Sequence, residues 1–269
     1  VPCAQLATTL DGVNEPVRAR PVVVICPMAI EAEGLRSALR RDHPDVLERV
    51  EIRVCGIGGE AVARAVRMVR GVGAMGGEAA GGSVPALVVL AGTAGGLTEG
   101  PPAPRIGFVV HAETGRRFTP TAVAPPEPGT GAGLEAGSSD VAVGVLGVDR
   151  LIDTPGEKRA LHARFGTPLV DMESHAFAEA CERAGLAWAV VRGVSDGPDD
   201  HLPGYILGWF NADGTSRPWR MVRDALLHPW QIPALIRTGR RTRTALRAAG
   251  GRLAGLVRGA CGAGPVTPA

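Results

Sequence analysis

The sequence predicts an α/β fold: one domain of three layers, α/β/α, around a mainly parallel, mixed central sheet. Three observations predict it. Short β-branched runs alternate with segments of helical spacing, the pattern of a sheet covered on both faces. Hydrophobic residues make up 45% of 269 residues, enough to fill one such core. Gly or charge interrupts every apolar run, so none approaches the roughly 20 residues of a membrane-spanning helix.

Residues 1–20 are polar and mixed in charge, and read as an N-terminal extension without the basic start and apolar stretch of a secretory signal. Residues 21–26, Pro-Val-Val-Val-Ile-Cys, read as a buried strand. A helix follows over 30–41, with Glu31 in its first turn. Residues 50–55 are a second strand, ending in Gly56-Ile-Gly-Gly59. A helix over 60–72 places Ala61, Val62, Ala65, Val66 and Val69 on one face. A Gly-rich loop, 71–83, leads to a strand over 86–91 and then to a turn, Gly92-Thr-Ala-Gly-Gly96. Strands over 107–111 and 141–148 flank a Pro- and Gly-rich surface excursion, 120–139. A short helix over 158–164 and a strand over 169–172 precede an amphipathic helix, 174–184. Residues 187–194 are the last central strand, ending before Ser195-Asp-Gly-Pro.

Ligands of such sheets bind beyond the carboxyl ends of the strands. Four segments lie at those ends: 26–31, 56–59, 92–96 and 195–196. Glycine lets a backbone approach a ligand and aim N–H groups at it, although both Gly clusters also read as plain tight turns. Neither matches a P-loop or GxGxxG. Thr93 adds a hydroxyl able to hold a water or an oxyanion. In Val170-Asp-Met-Glu-Ser174, strand alternation puts Asp171 and Glu173 on one side and Met172 on the other. A carboxylate there can accept from two vicinal hydroxyls, or serve simply as a charge at a helix N-terminus. Asp196 ends an apolar strand, where desolvation makes a carboxyl a proton donor; an N-cap or Asx-turn is the plainer reading.

Five scattered cysteines without a CxxC pair argue for free thiols and against a zinc site. The six histidines show no HxxxH spacing, so no metal is expected. Lys158 is the only lysine, which leaves Schiff-base chemistry little to stand on. From Arg217 onward ten arginines face one acid, Asp224, so this tail carries +9 and the rest of the chain −7. Leu226, Leu227, Trp230, Ile232, Leu235 and Ile236 are interleaved with them. Two readings stay open: a segment held at an anionic membrane surface, or a helix packed on the core with a solvated Arg face. Nucleic acid is not expected, because Tyr205 is the only tyrosine and no recognition motif is present.

Taken together, these segments resemble the nucleoside phosphorylase superfamily, in particular its methylthioadenosine/adenosylhomocysteine nucleosidases. The matching stretches are Pro27-Met-Ala-Ile-Glu31, Gly56-Ile-Gly-Gly59, Ala91-Gly-Thr-Ala-Gly-Gly-Leu97, Val170-Asp-Met-Glu173 and Val190-Val-Arg-Gly-Val-Ser-Asp196. His201-Leu-Pro203, the 210–218 stretch and 228–236 further resemble the hopanoid-associated branch, which removes adenine from adenosylhopane to leave ribosylhopane. The resemblance divides the chain into a catalytic domain, 21–216, and a basic, apolar helical extension, 217–269.

What the resemblance implies is cleavage of a purine N-glycosidic bond without a cofactor. It gives Asp196 the role of general acid to purine N7 and Glu31 that of activating water. Glu173 binds the ribose hydroxyls, Met172 packs on the sugar, and Thr93 helps hold the nucleophile. Gly95 and Ser195 join the substrate-binding set. The base rests on 149–152, where Leu151 and Ile152 stand in place of the aromatic residue of the nucleosidases. Water is favoured over phosphate, since the loops 26–32 and 91–97 contain no Arg, although Arg36 or Arg53 is within reach in sequence terms. The alternatives are a nucleosidase for methylthioadenosine or a related nucleoside, a phosphate-dependent purine nucleoside phosphorylase, and a non-catalytic nucleoside-binding protein. A cytoplasmic homodimer, peripheral on the inner face of the membrane, is the expected setting.

Overall fold

The computed structural model describes residues 22–70, 84–126 and 141–262. The expected extension 1–20 and loop 71–83, and the later part of the 120–139 excursion, lie outside the described residues. β1 (Val22–Cys26) is wholly buried and pairs in parallel with β2 (Val50–Val54) on one side and β3 (Leu87–Gly96) on the other. β4 (Ile106–His111) pairs with the short antiparallel β5 (Arg117–Phe118) and in parallel with β6 (Val143–Gly147). β7 (Leu169–Asp171) runs parallel to β6 and antiparallel to the end of β3. β8 (Trp188–Asp196) runs parallel to β3 along its length. The eight strands form one mixed, mostly parallel sheet in the order β2-β1-β3-β7-β6-β4-β5, with β8 also on β3.

Alternation along the strands divides the core. Val22, Val24 and Cys26 join Leu87, Val89 and Ala91 on one face, under α1 (Ala29–Asp42) and the C-terminal helix. Val23, Ile25, Val88 and Leu90 face the other way, against the helix Gly59–Arg70 and the helix Ser174–Ala184. A one-turn helix, α2 (Pro44–Leu47), joins α1 to β2, so these two helices are α3 and, after α4 (Pro155–Phe165), α5. The result is the expected three-layer α/β/α fold.

Two expectations shift. Residues 92–96 are not a turn: β3 continues through Gly96, with Gly92 opposite Arg192 and Gly95 opposite both Val170 and Asp196. Flanking pairing on both sides outweighs the low strand propensity of glycine. The helix expected over 158–164 begins earlier. Thr154 caps it by accepting the Glu157 N–H at 3.3 Å, Pro155 fills the first position, and Gly166 ends it at φ 66°.

The C-terminal segment is two things in sequence. α6 (Pro218–Leu227), the 3-10 turn Pro229–Gln231 and the first turns of α7 (Ile232–Gly262) expose Trp219, Val222, Leu226, Leu227, Trp230, Ile232 and Ile236. From Ala245 to Val257, α7 instead supplies seven buried side chains to the core beside α1. It crosses β8 at Gly193, where a Cβ would lie 2.7 Å from the carbonyl of Ala245. Arg247 and Arg258 on its outer face pair with Asp42 and Asp45. The packed-helix reading of the tail thus holds for 245–257. Among the described residues no helix is long and apolar enough to cross a membrane.

Candidate active site

The ends of β1, β3, β7 and β8 open onto one cavity of about 350 Å3. Glu31, Glu173 and Asp196 all line it, as do Met172, Thr93, Gly95, Leu151, Ile152 and Ser195. All nine residues singled out from the sequence therefore come together.

Glu31 sits at the third position of α1 and is 1% exposed. Its Oε2 accepts the Met28 N–H at 3.0 Å, which satisfies a donor of the helix N-terminus. Its Oε1 accepts from Thr93 twice, the N–H at 2.7 Å and the hydroxyl at 2.8 Å. Burial raises the Glu31 pKa, with Arg192 and the Thr93 bonds restraining the rise. Thr93 and Glu31 are thus one unit rather than two separate contacts.

Strand alternation stops at Asp171, where β7 ends, so Asp171, Met172 and Glu173 all line the cavity. The expectation that Met172 faces away from its neighbours fails for that reason. Both Asp171 oxygens are engaged, Oδ1 by the Ser174 N–H at 3.0 Å and Oδ2 by the Ser174 hydroxyl and Arg192 Nε, the latter at 2.6 Å. Glu173 accepts the Gly58 N–H at 3.1 Å and Arg192 Nη2 at 3.2 Å. Burial pushes its pKa up to about 7 against the pull of Arg192, and the negative charges of Asp171 and Glu31 add to the rise.

Arg192 is the residue that sequence reading missed. A charge in mid-strand among Ala, Val and Gly was the available signal, since a fully buried charge requires partners. It is fully buried beneath Glu31, Asp171 and Glu173. Burial works against its charge, yet the three carboxylates outweigh burial and raise its pKa. Its Nη1 has no hydrogen-bond partner among the described residues. Gly92 is required beside it: a Cβ there would lie 2.7 Å from Glu31 Oε1 and 2.8 Å from Arg192 Nη1.

Asp196 is 2% exposed at the end of β8. Its Oδ1 accepts the Ser195 hydroxyl at 2.7 Å and its Oδ2 accepts Lys158 Nζ at 2.5 Å. Neither the N-cap nor the Asx-turn reading applies, because no helix begins at Asp196 and the residue two positions on, Pro198, has no N–H to donate. Lys158, on α4, is fully buried and also donates to the carbonyls of Gly197 and Asp200.

The remaining wall was not foreseen. Ile206, Leu207, Trp209, Phe210, Met221 and Leu235, all after β8, complete the cavity with apolar surface. Trp209 Nε1 donates to Asp224 at 2.9 Å, tying this wall to α6. The loop 211–215 seats it on the sheet: the Ala29 N–H donates to Gly214 O at 2.9 Å, and Gly56, at φ 98°, leaves no room for a Cβ against Ala212 O. The Gly56 turn therefore carries a loop contact, while Gly58 next to it reaches Glu173. Arg36 donates to Ile52 O and Arg53 to Glu51, and neither lines the cavity. Asp149 pairs with His175 rather than facing the cavity.

Comparison with known proteins agrees with this architecture. A family model described as the phosphorylase superfamily matches residues 135–218. No curated protein matches the sequence. Among solved structures, the 5′-methylthioadenosine/S-adenosylhomocysteine nucleosidase of Neisseria meningitidis, complexed with methylthio-immucillin-A, is similar at TM-score 0.57 and 17% identity. The match covers 89% of this chain and 99% of that one. Futalosine hydrolase of Helicobacter pylori is similar at TM-score 0.56 and 12% identity, over 90% and 98% of the two chains. The 5′-methylthioadenosine nucleosidase of Arabidopsis thaliana follows at 0.55 and 14%, over 90% and 97%. The chain has the fold of nucleoside phosphorylases and nucleosidases; at these identities the likeness is one of fold.

Proposed function

We propose that this protein cleaves the N-glycosidic bond of a purine nucleoside, with water as nucleophile. The observation that carries the reading is the convergence of Glu31, Glu173 and Asp196 on one cavity from separate strand ends. Bond cleavage builds positive charge on the ribose and negative charge on the base. Asp196 passes a proton to purine N7. Glu173 accepts from the ribose hydroxyls, Met172 packs on the sugar, and Glu31 with Thr93 holds and deprotonates the water. Gly95 and Ser195 border the base, which rests on Leu151 and Ile152.

Water is favoured over phosphate on charge. Arg192, the one buried cation near Glu31 among the described residues, already serves Asp171 and Glu173, and a dianion beside these carboxylates would be repelled. Arg150, which also lines the cavity, pairs with Glu157.

The finer reading concerns the 5′ substituent. The apolar wall from Ile206 to Leu235 favours a hydrocarbon group, and a hopane-bearing adenosine is the candidate that the sequence resemblance implies. Such a substrate resides in a membrane, and the exposed apolar side chains of 219–236 support peripheral attachment of a cytoplasmic enzyme there. A methylthioadenosine-type nucleosidase is the competing reading, favoured by the solved structures of similar fold. Incubation with adenosylhopane and with methylthioadenosine, with and without phosphate, tests both readings. Free adenine with free ribosyl product supports hydrolysis, ribose 1-phosphate products support phosphorolysis, and no adenine from either nucleoside removes the proposal.

A further inference from the structure

The chain's only lysine stands directly behind Asp196. Lys158 is 0% exposed, and its three donors meet three acceptors: Asp196 Oδ2 at 2.5 Å, Gly197 O at 2.7 Å and Asp200 O at 3.1 Å. It does not line the cavity, so it touches no substrate. A lysine sequestered in this way is unusual, because burying an ammonium costs several kcal/mol, of the order offset only by close partners. Asp196 receives hydrogen bonds at both oxygens, from Lys158 and from the Ser195 hydroxyl. In the ion pair with Lys158 the carboxylate is ionised, and an ionised carboxylate is an acceptor only, with no proton of its own to give. The proton needed by the leaving base must then come through it, and the ammonium of Lys158 is the donor in contact.

Resting on the purine-cleavage reading above, we propose that Lys158 is the positioning residue that supplies, through Asp196, the proton taken by the leaving base. The Nζ–H bond breaks as the proton passes to Asp196, and Asp196 passes a proton to N7. The C1′–N9 electron pair goes to the base, which leaves neutral. Water adds to C1′ and its proton goes to Glu31. Lys158, left as a neutral amine, regains a proton from solvent while Glu31 releases its own to solvent during product release, so no net proton is consumed. Backbone carbonyls at Gly197 and Asp200 keep the amine in place through both states.

The test uses two substrates that differ in need for a proton: methylthioadenosine, and a 4-nitrophenyl riboside whose nitrophenolate departs unprotonated. In Lys158→Gln, adenine release should fall about 10²-fold or more in kcat, the usual range for a lost general acid, with KM within a few-fold. Nitrophenolate release should stay within a few-fold of wild type. Removing one member of a buried pair can also cost the fold, so Lys158→Arg is the second variant. Arginine keeps the charge and the donors but holds its protons, with pKa above about 12, so adenine release should fall there too. Equal loss on both substrates marks a structural role and overturns the relay, as does wild-type adenine release in Lys158→Arg. Loss of adenine release in Asp196→Asn with retention in both Lys158 variants removes the relay alone. No adenine release by the wild type removes the purine-cleavage reading and the relay with it.

Discussion

Arg192 Nη2 donates to Glu173 Oε2 at 3.2 Å, while Nε of the same guanidinium donates to Asp171 at 2.6 Å. One buried cation thus orients the carboxylate proposed to hold the ribose, and it does so from β8, the strand that ends in Asp196. The sides proposed to hold the sugar and to donate the proton are thus joined through a single strand. Replacing Arg192 would leave two carboxylates buried without their partner, an arrangement that costs about 3–5 kcal/mol.

Glu31→Gln should stop hydrolysis while the protein stays folded. The amide still accepts from Thr93 but takes no proton from water. General-base loss typically costs about 10²–10⁴ in rate. Added phosphate should not accelerate the wild type. A rate that tracks phosphate, with a ribose 1-phosphate product, would replace hydrolysis by phosphorolysis.

Activity and stability should move in opposite directions with pH. Glu31 can take a proton from water, and Glu173 can offer both oxygens purely as acceptors, only when ionised, and the folded protein raises both pKa values, that of Glu173 to about 7. kcat/KM should therefore fall as pH drops through about 7. For stability the sign reverses: a raised carboxyl pKa means that the folded state holds the proton more tightly. Its contribution is present below the ordinary Glu value of about 4.3 and is lost as pH rises through about 7. In Glu173→Gln, the difference in melting temperature between about pH 5 and about pH 8 should shrink. Identical pH dependence in mutant and wild type would refute this assignment.

Gly193→Ala should destabilise the fold by about 1–3 kcal/mol, the usual cost of overpacking. The added methyl meets the backbone of Ala245 at 2.7 Å, and a backbone cannot rotate aside. Gly156→Ala is the control, since nothing lies within 4 Å of its Cβ position. Urea unfolding of both variants checks the contrast.

The membrane attachment proposed above would reside in 219–243 and not in the whole tail. Arg247 and Arg258 are paired to α1 and α2 residues, whereas Arg237, Arg240 and Arg243 make no ion pair among the described residues. Each arginine near an anionic surface contributes about 1 kcal/mol, less at high salt. The protein should float with anionic vesicles at low salt, and Trp230→Ala with Arg240→Glu should weaken it. Equal behaviour with neutral vesicles, or no flotation, would leave these apolar side chains without a membrane role.

Local pattern alone made much of the fold readable. β1, α1, β2, α3, α5 and β8 lie within a few residues of their sequence-expected positions, because apolar period and flanking Gly or Pro act over a few residues. That nine named residues share one cavity was legible in part: Glu31, Thr93, Gly95, Ser195 and Asp196 lie at strand ends where such sheets collect ligands, whereas Leu151 and Ile152 followed only from the family resemblance. Three things were not readable. Residues 92–96 read as a turn, but β8 along 92–95 and β7 at 95–96 hold them extended. Arg192 and Lys158 read as a strand residue and an isolated lysine, for their hydrogen-bond partners lie 19 to 42 positions away in sequence. The tail read as one basic, apolar segment. Whether a stretch of Ala, Leu and Arg faces water or a core depends on what passes beneath it, and β8 with its Gly193 passes beneath Ala245 but not beneath Trp230. Sequence period determines which side chains share a face; only packing across the sheet determines what that face meets.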